Sequence, residues 1–173
     1  MSSALLDWHD FFTAVTAVAG TLIGLLFVVI GLNPAIMADT GHAGMRVLTG
    51  QTFHSFLVLV ILGLAALVPS DDGTTLVITL VIIAVQGFLR IVHDVRLART
   101  DPDPNWSGRN ALTRVISPAL AYGLSLYMAY GIWRQDPGVL DWFVAITFLL
   151  TVNAATSCWD LMGEIAKQAQ TTP

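Results

Sequence analysis

The sequence predicts an all-α integral membrane protein, a bundle of five transmembrane helices in one domain over residues 1–173, with its N-terminus outside and its C-terminus in the cytoplasm. Three observations carry that reading. Of 173 residues, 55% are hydrophobic and 12% are charged, with a mean hydropathy of +0.71, whereas a soluble domain carries about a quarter charged residues. The apolar residues are gathered into five long runs separated by short polar joints. The basic residues fall almost entirely on alternate joints.

A spanning helix needs about 20 mainly apolar residues, and the runs that qualify are Phe11 to Leu32, Val47 to Val68, Thr74 to Val92, Leu112 to Trp133 and Trp142 to Met162. The first has no basic stretch before it and no small-residue cleavage pattern after it, so it reads as a retained helix and not a signal peptide. Asn33-Pro34 ends it, Pro69 to Gly73 makes a tight turn after the second run, and Asp101 to Asn105 breaks the longest connection. Asp136-Pro137-Gly138 separates the last two.

Direction follows from lysine and arginine, which are retained on the cytoplasmic side. With the N-terminus outside, the inner joints hold Arg46, Arg90, Arg96, Arg99, Arg109, Arg114 and Lys167, leaving only Arg134 of the eight basic residues outside. The triplet Leu-Asp-Trp opens both the first run, at Leu6 to Trp8, and the last, at Leu140 to Trp142. An odd number of spans puts both on the outer face, where Asp7 and Asp141 are expected as helix N-caps and Trp8 and Trp142 as members of an interfacial aromatic belt. That face is otherwise acidic, which concentrates cations. His9 between Asp7 and Asp10 is too little for a metal site, and no metal ligand is expected.

Inside the spans, polar residues recur at steps of three or four, so each set forms one stripe on its helix. They are Gln51 with His54 or Ser55, Gln86 with Arg90 and His93 or Asp94, Arg114 with Ser117, and Asn153 with Ser157, Asp160 and Glu164. All fall in the cytoplasmic half. A charged side chain facing lipid costs roughly 2.5–3.5 kcal/mol near the bilayer centre, so such groups turn inward. The stripes are therefore expected to converge on an inner vestibule lined by His54, Gln86, Arg90, Asn153 and Asp160, with Arg114, Glu164 and Asp94 in ion pairs. Helix-end pairing and interhelical hydrogen bonding are the alternative reading of the same residues.

Ala17, Gly24 and Gly31 recur every seventh residue on the first span, and Gly20 with Gly24 makes a GxxxG, a pattern that permits close helix approach. Its partner is read as another span of the same chain in preference to a second copy. Gly123 and Gly131, with Tyr122, Tyr127 and Tyr130, offer another contact face on the fourth span. Pro118 removes a helical hydrogen bond there, and the freed carbonyl is a minor candidate for cation coordination. Cys158, the only cysteine, reads as a packing thiol.

No catalytic signature is present: no H-E-x-x-H, G-x-S-x-G, phosphate loop or paired-cysteine motif. The net charge of −4 and the lack of a basic patch argue against nucleic acid. The expected function is a small homo-oligomeric channel or transporter in the lipid bilayer for an inorganic ion, with cations favoured by the acidic mouth and with no cofactor. The alternative is a non-catalytic accessory or regulatory subunit acting through helix packing and the basic loop Arg96 to Arg109. An enzyme is the least supported class.

The stretch AVAGTLIGLLFVVIGLNP, with HSFLVLVILGLAALVP in the second run, resembles the opening of small multi-pass bacterial membrane proteins of unassigned function. The resemblance covers about a third of the chain and implies a bacterial inner-membrane location.

Overall fold

The computed structural model describes residues 2–32, 43–69, 73–100 and 109–171. The joints read from Asn33-Pro34, Asp71-Asp72 and Asp101 to Asn105 lie outside the described residues. A short α1 (Ser2–Asp7) leads into α2 (His9–Leu32), followed by α3 (Ala43–Leu67), α4 (Thr74–Thr100), α5 (Arg109–Trp133), a 3-10 segment (Pro137–Asp141) and α6 (Trp142–Thr171). Among the described residues all regular structure is helical. Among the same residues five segments are long and apolar enough to cross a membrane: His9–Leu32, Thr49–Leu67, Thr74–His93, Val115–Trp133 and Pro137–Gly163. A 20-residue helix rises about 30 Å, the thickness of the hydrocarbon core.

Helices α3, α4, α5 and α6 form a closed four-helix arrangement, each packed on the next, with α3 and α6 completing the ring. α2 packs against the outside of α3. Two kinds of surface follow. The outward faces carry Leu25, Phe27, Leu64, Ile82, Leu89, Leu120 and Phe148, all exposed, while the centre holds Thr49, Thr52, Ser55, Ser125, Asn153 and Ser157, all buried. Water gives no reason for such a distribution, whereas hydrocarbon does, because only the interior offers polar groups a partner.

One end of the bundle is held by aromatic rings. The start of α2 meets the start of α6, where Phe12 and Phe143, both fully buried, stand edge to face with centroids 4.8 Å apart. Trp8 sits edge-on to Phe11 at 5.4 Å, and Tyr127 meets Trp142 at 6.0 Å. The repeated Leu-Asp-Trp thus marks two helix starts at the same end of the molecule. Its acids are not caps, however. Among the described residues neither the Asp7 nor the Asp141 carboxylate accepts a hydrogen bond from a helix-start N–H; Asp7 closes α1 and Asp141 closes the 3-10 segment. The capping acid here is Asp136, whose Oδ1 accepts the Gly138 N–H at 3.0 Å.

α5 stops in a defined way. Gln135 adopts φ 59°, and the Asp136 and Gln135 N–H groups donate to the carbonyls of Gly131 at 3.0 Å and Ile132 at 2.9 Å. This is the Schellman arrangement, with glutamine where glycine is usual.

The glycine stripe of the first span is not the seam that holds α2 to the bundle. α2 buries Phe12, Ala19 and Leu26 instead, a line about a third of a turn away from Ala17, Gly20, Gly24 and Gly31 on a helix of 3.6 residues per turn. All four stripe residues are exposed, and a Cβ added at any of the three glycines would meet nothing within 4 Å. The close approach is supplied from the other side: Gly63 of α3 lies against Thr16, whose hydroxyl is turned back to donate to the Phe12 carbonyl at 2.7 Å. The bulkier aliphatic and aromatic seam wins because it removes more apolar surface from the surroundings of α2 within one chain.

Candidate functional site

At the end of the bundle opposite Trp8 and Trp142, the four helices of the ring line a partly open cavity of about 30 Å3. Each helix contributes by a simple rule. On α3, Gln51 and Ser55 are one turn apart on the inward face, with His54 beside them. On α6, Asn153 faces them. α4 supplies Arg90 and, one turn earlier, Gly87; α5 supplies Pro118 and Tyr122.

The polar groups form a closed chain. The Ser55 hydroxyl donates to the Gln51 carbonyl on its own helix at 3.0 Å. Its only hydrogen is thereby used, so it meets the facing amide as an acceptor, and Asn153 Nδ2 donates to it at 3.1 Å. That fixes the amide of Asn153, whose Oδ1 accepts from Gln51 Nε2 at 3.4 Å. Ser55 and Asn153 are buried, at 3% and 4% exposure, and burying these groups without such partners costs about 1–3 kcal/mol each. Nearby, the Ser117 hydroxyl donates to the Leu149 carbonyl at 3.3 Å, tying α5 to α6.

Two glycines make room. The Arg90 guanidinium lies against Gly50 of α3, where a Cβ would stand 3.1 Å from Nη2. The Tyr122 ring covers Gly87, and any Cβ there would collide with it. The same ring is buried and stands edge-on to His54, with centroids 6.5 Å apart, and near Phe88 at 6.1 Å.

Of the residues expected to line a vestibule, His54, Arg90 and Asn153 are brought together. Gln86 is not among them. It is exposed on the outer face of α4, while Gly87 takes the inward position; one residue along a helix is a rotation of about 100°, which decides the face. Asp160 is half-buried on α6 and stands apart from the cavity lining, about 10 Å along the axis from Asn153 at 1.5 Å per residue. Asp94, Arg114 and Glu164, expected in ion pairs, have side chains outside the described residues. Gln51, Ser55, Gly87, Pro118 and Tyr122 were not among the expected lining, although Gln51 and Ser55 lie on an identified stripe. Gly50, Gly87 and Tyr122 carry no polar periodicity, and their role emerges only from the helix pairing. Pro118 lies inside α5, which continues through it, and its ring forms part of the cavity wall.

No family model, curated protein or solved structure matches the chain. Among the described residues, no group of three His, Cys, Asp or Glu side chains is placed to hold a metal ion. His9 pairs with its neighbour, Nδ1 standing 3.4 Å from Asp10 Oδ1 on the surface. One turn beyond Asn153 on the same face of α6, Ser157 is buried and its hydroxyl meets no hydrogen-bond partner among the described residues.

Proposed function

We propose that the protein is a small membrane channel or transporter whose inner vestibule is the cavity of Gln51, His54, Ser55, Arg90, Tyr122 and Asn153. The observation that carries this reading is the guanidinium of Arg90 at a cavity inside a bundle whose outer faces are apolar. Helices in lipid are held together adequately by small residues and neutral hydrogen bonds. A charge is costly in that position and marks a route or site for a solute.

The arginine and lysine asymmetry supports a cytoplasmic location for the cavity end, with the aromatic end and Arg134 outside. In this reading the chain works as a homo-oligomer in a bacterial inner membrane, and the open small-residue face of Ala17, Gly20, Gly24 and Gly31 is available to another helix. That same face supports the second reading, an accessory subunit bound to a different membrane protein.

Purified protein reconstituted in vesicles and loaded in turn with halide and alkali-metal salts tests the proposal. Ion efflux that depends on the protein and drops when Asn153 is replaced by leucine is the expected result. A tight, protein-filled vesicle with no efflux of any ion would remove the channel reading, and co-purification of a defined membrane partner would then favour the accessory one.

A further inference from the structure

We infer that the cavity is a binding site for one small monovalent anion of halide size, held by Arg90 and Asn153. The inference rests on the vestibule reading above and names its solute class. Three features of the site lead to it.

The first is charge. Arg90 brings a permanent positive charge to the cavity, and among the described residues no carboxylate lines the cavity or pairs with Arg90. Half-buried inside an apolar bundle, that charge is stabilised by a counter-charge.

The second is the direction of the hydrogen bonds. The closed chain from Gln51 through Asn153 to Ser55 uses the acceptors of Asn153 and Ser55: Asn153 Oδ1 takes the Gln51 amide hydrogen, and Ser55 Oγ takes the Asn153 hydrogen while giving its own to a backbone carbonyl. What Asn153 retains is a second amide hydrogen. What Arg90 offers is a fork of N–H groups and no acceptor. The donors that Asn153 and Arg90 present suit an anion, and the guanidinium charge repels a cation.

The third is size. A water molecule needs about 10–15 Å3 measured on the same scale, so a partly open cavity of about 30 Å3 has room for a single halide with a remnant of its water. Gly50 and Gly87 shape it. The first lets the guanidinium lie close against α3, and the second lets the Tyr122 ring close the wall.

The test uses chloride and purified full-length protein in detergent micelles. The quadrupolar line width of 35Cl in NMR is followed as bromide is added, with gluconate as the non-binding anion at constant ionic strength. Protein-dependent broadening that bromide reverses and gluconate does not is the expected result. Arg90→Gln should weaken chloride binding about 10- to 100-fold, the value of a charge-assisted hydrogen bond, and Arg90→Lys should retain part of it. Wild-type protein without chloride-dependent broadening overturns the inference, whether or not the variants fold. Broadening that persists in a folded Arg90→Gln protein overturns it too. Chloride binding without flux in vesicles leaves the anion site standing and removes the transport reading. Cation flux with no chloride binding does the reverse.

Discussion

Asn153 on α6 donates an amide hydrogen to the Ser55 hydroxyl on α3 across 3.1 Å, with both side chains buried. Those two helices close the four-helix ring, so the bond is a polar clasp across its last seam. Ser157 is equally buried one turn away and has no hydrogen-bond partner among the described residues, which makes a comparison possible. Ser55→Ala leaves an amide hydrogen of Asn153 unpaired and is expected to destabilise by about 1 kcal/mol, within the range of interhelical hydrogen bonds in membranes. Ser157→Ala removes a hydroxyl that already lacks a partner, and its effect should stay within about 0.5 kcal/mol of zero or stabilise. Reversible unfolding in mixed micelles measures both. Equal losses at the two serines would show that methyl-sized packing, and not the hydrogen bond, matters here.

The α2–α3 crossing depends on one missing side chain. Gly63 faces Thr16 and the Phe12 carbonyl, and a Cβ at Gly63 would collide with the Thr16 hydroxyl. Gly63→Val is therefore expected to cost about 1–3 kcal/mol, as overpacking does elsewhere, and to loosen α2 before the ring of four. Thr16→Ala in the same chain should recover part of the loss by withdrawing the colliding atom. Limited proteolysis ahead of α3 reads the release of α2, and an unchanged cleavage rate in Gly63→Val would refute this account of the crossing.

Much of this architecture is legible in the sequence because hydrocarbon imposes a strong, simple code. Five apolar runs and their Pro, Gly and Asp punctuation locate the five helices, since each run must be about as long as the bilayer is thick. The polar stripes foretell that His54, Arg90 and Asn153 share a region, because a step of three or four residues keeps a face. The same code misassigns Gln86, where the pattern is met equally well by an outward residue next to an inward glycine. It overlooks Gly50, Gly87 and Tyr122, whose importance lies in what a facing helix places against them. It also misleads about the GxxxG of α2: small residues permit close approach but exert no pull, and Phe12, Ala19 and Leu26 bury more surface.

Gln135 occupies the left-handed region at φ 59° to end α5, a conformation that costs a side-chain-bearing residue about 1–2 kcal/mol relative to the right-handed form. Glycine avoids that cost but loses more freedom on folding. Its side chain also offers a long hydrogen bond, Nε2 to the Ile132 carbonyl at 3.4 Å, which glycine gives up. Gln135→Gly should therefore stabilise by only about 0.5–1 kcal/mol, and Gln135→Val should destabilise, because a β-branched residue tolerates positive φ least. Melting temperatures in one detergent decide the matter, and a Gln135→Val protein as stable as wild type would argue against a left-handed C-cap.

Orientation is open to a chemical test because the chain has a single cysteine, Cys158. In a Cys158→Ala background, Gly138→Cys places a thiol at an exposed position in the turn between α5 and α6, and Arg96→Cys places one at an exposed position near the end of α4. The helix pairing puts these at opposite ends: Gly50 of early α3 meets Arg90 of late α4, whereas Gly63 of late α3 meets Thr16 of early α2. Whichever way the bundle inserts, an impermeant maleimide added to intact cells should label one thiol and spare the other. Seven basic residues at the Arg96 end against Arg134 alone at the Gly138 end decide which, since basic flanks resist translocation. Gly138→Cys should react from outside and Arg96→Cys only after the membrane is opened. The opposite pattern would put the cavity on the outer face and Arg90 nearest the periplasmic or extracellular solution, so that the anion would be taken from outside the cell and not from its cytoplasm.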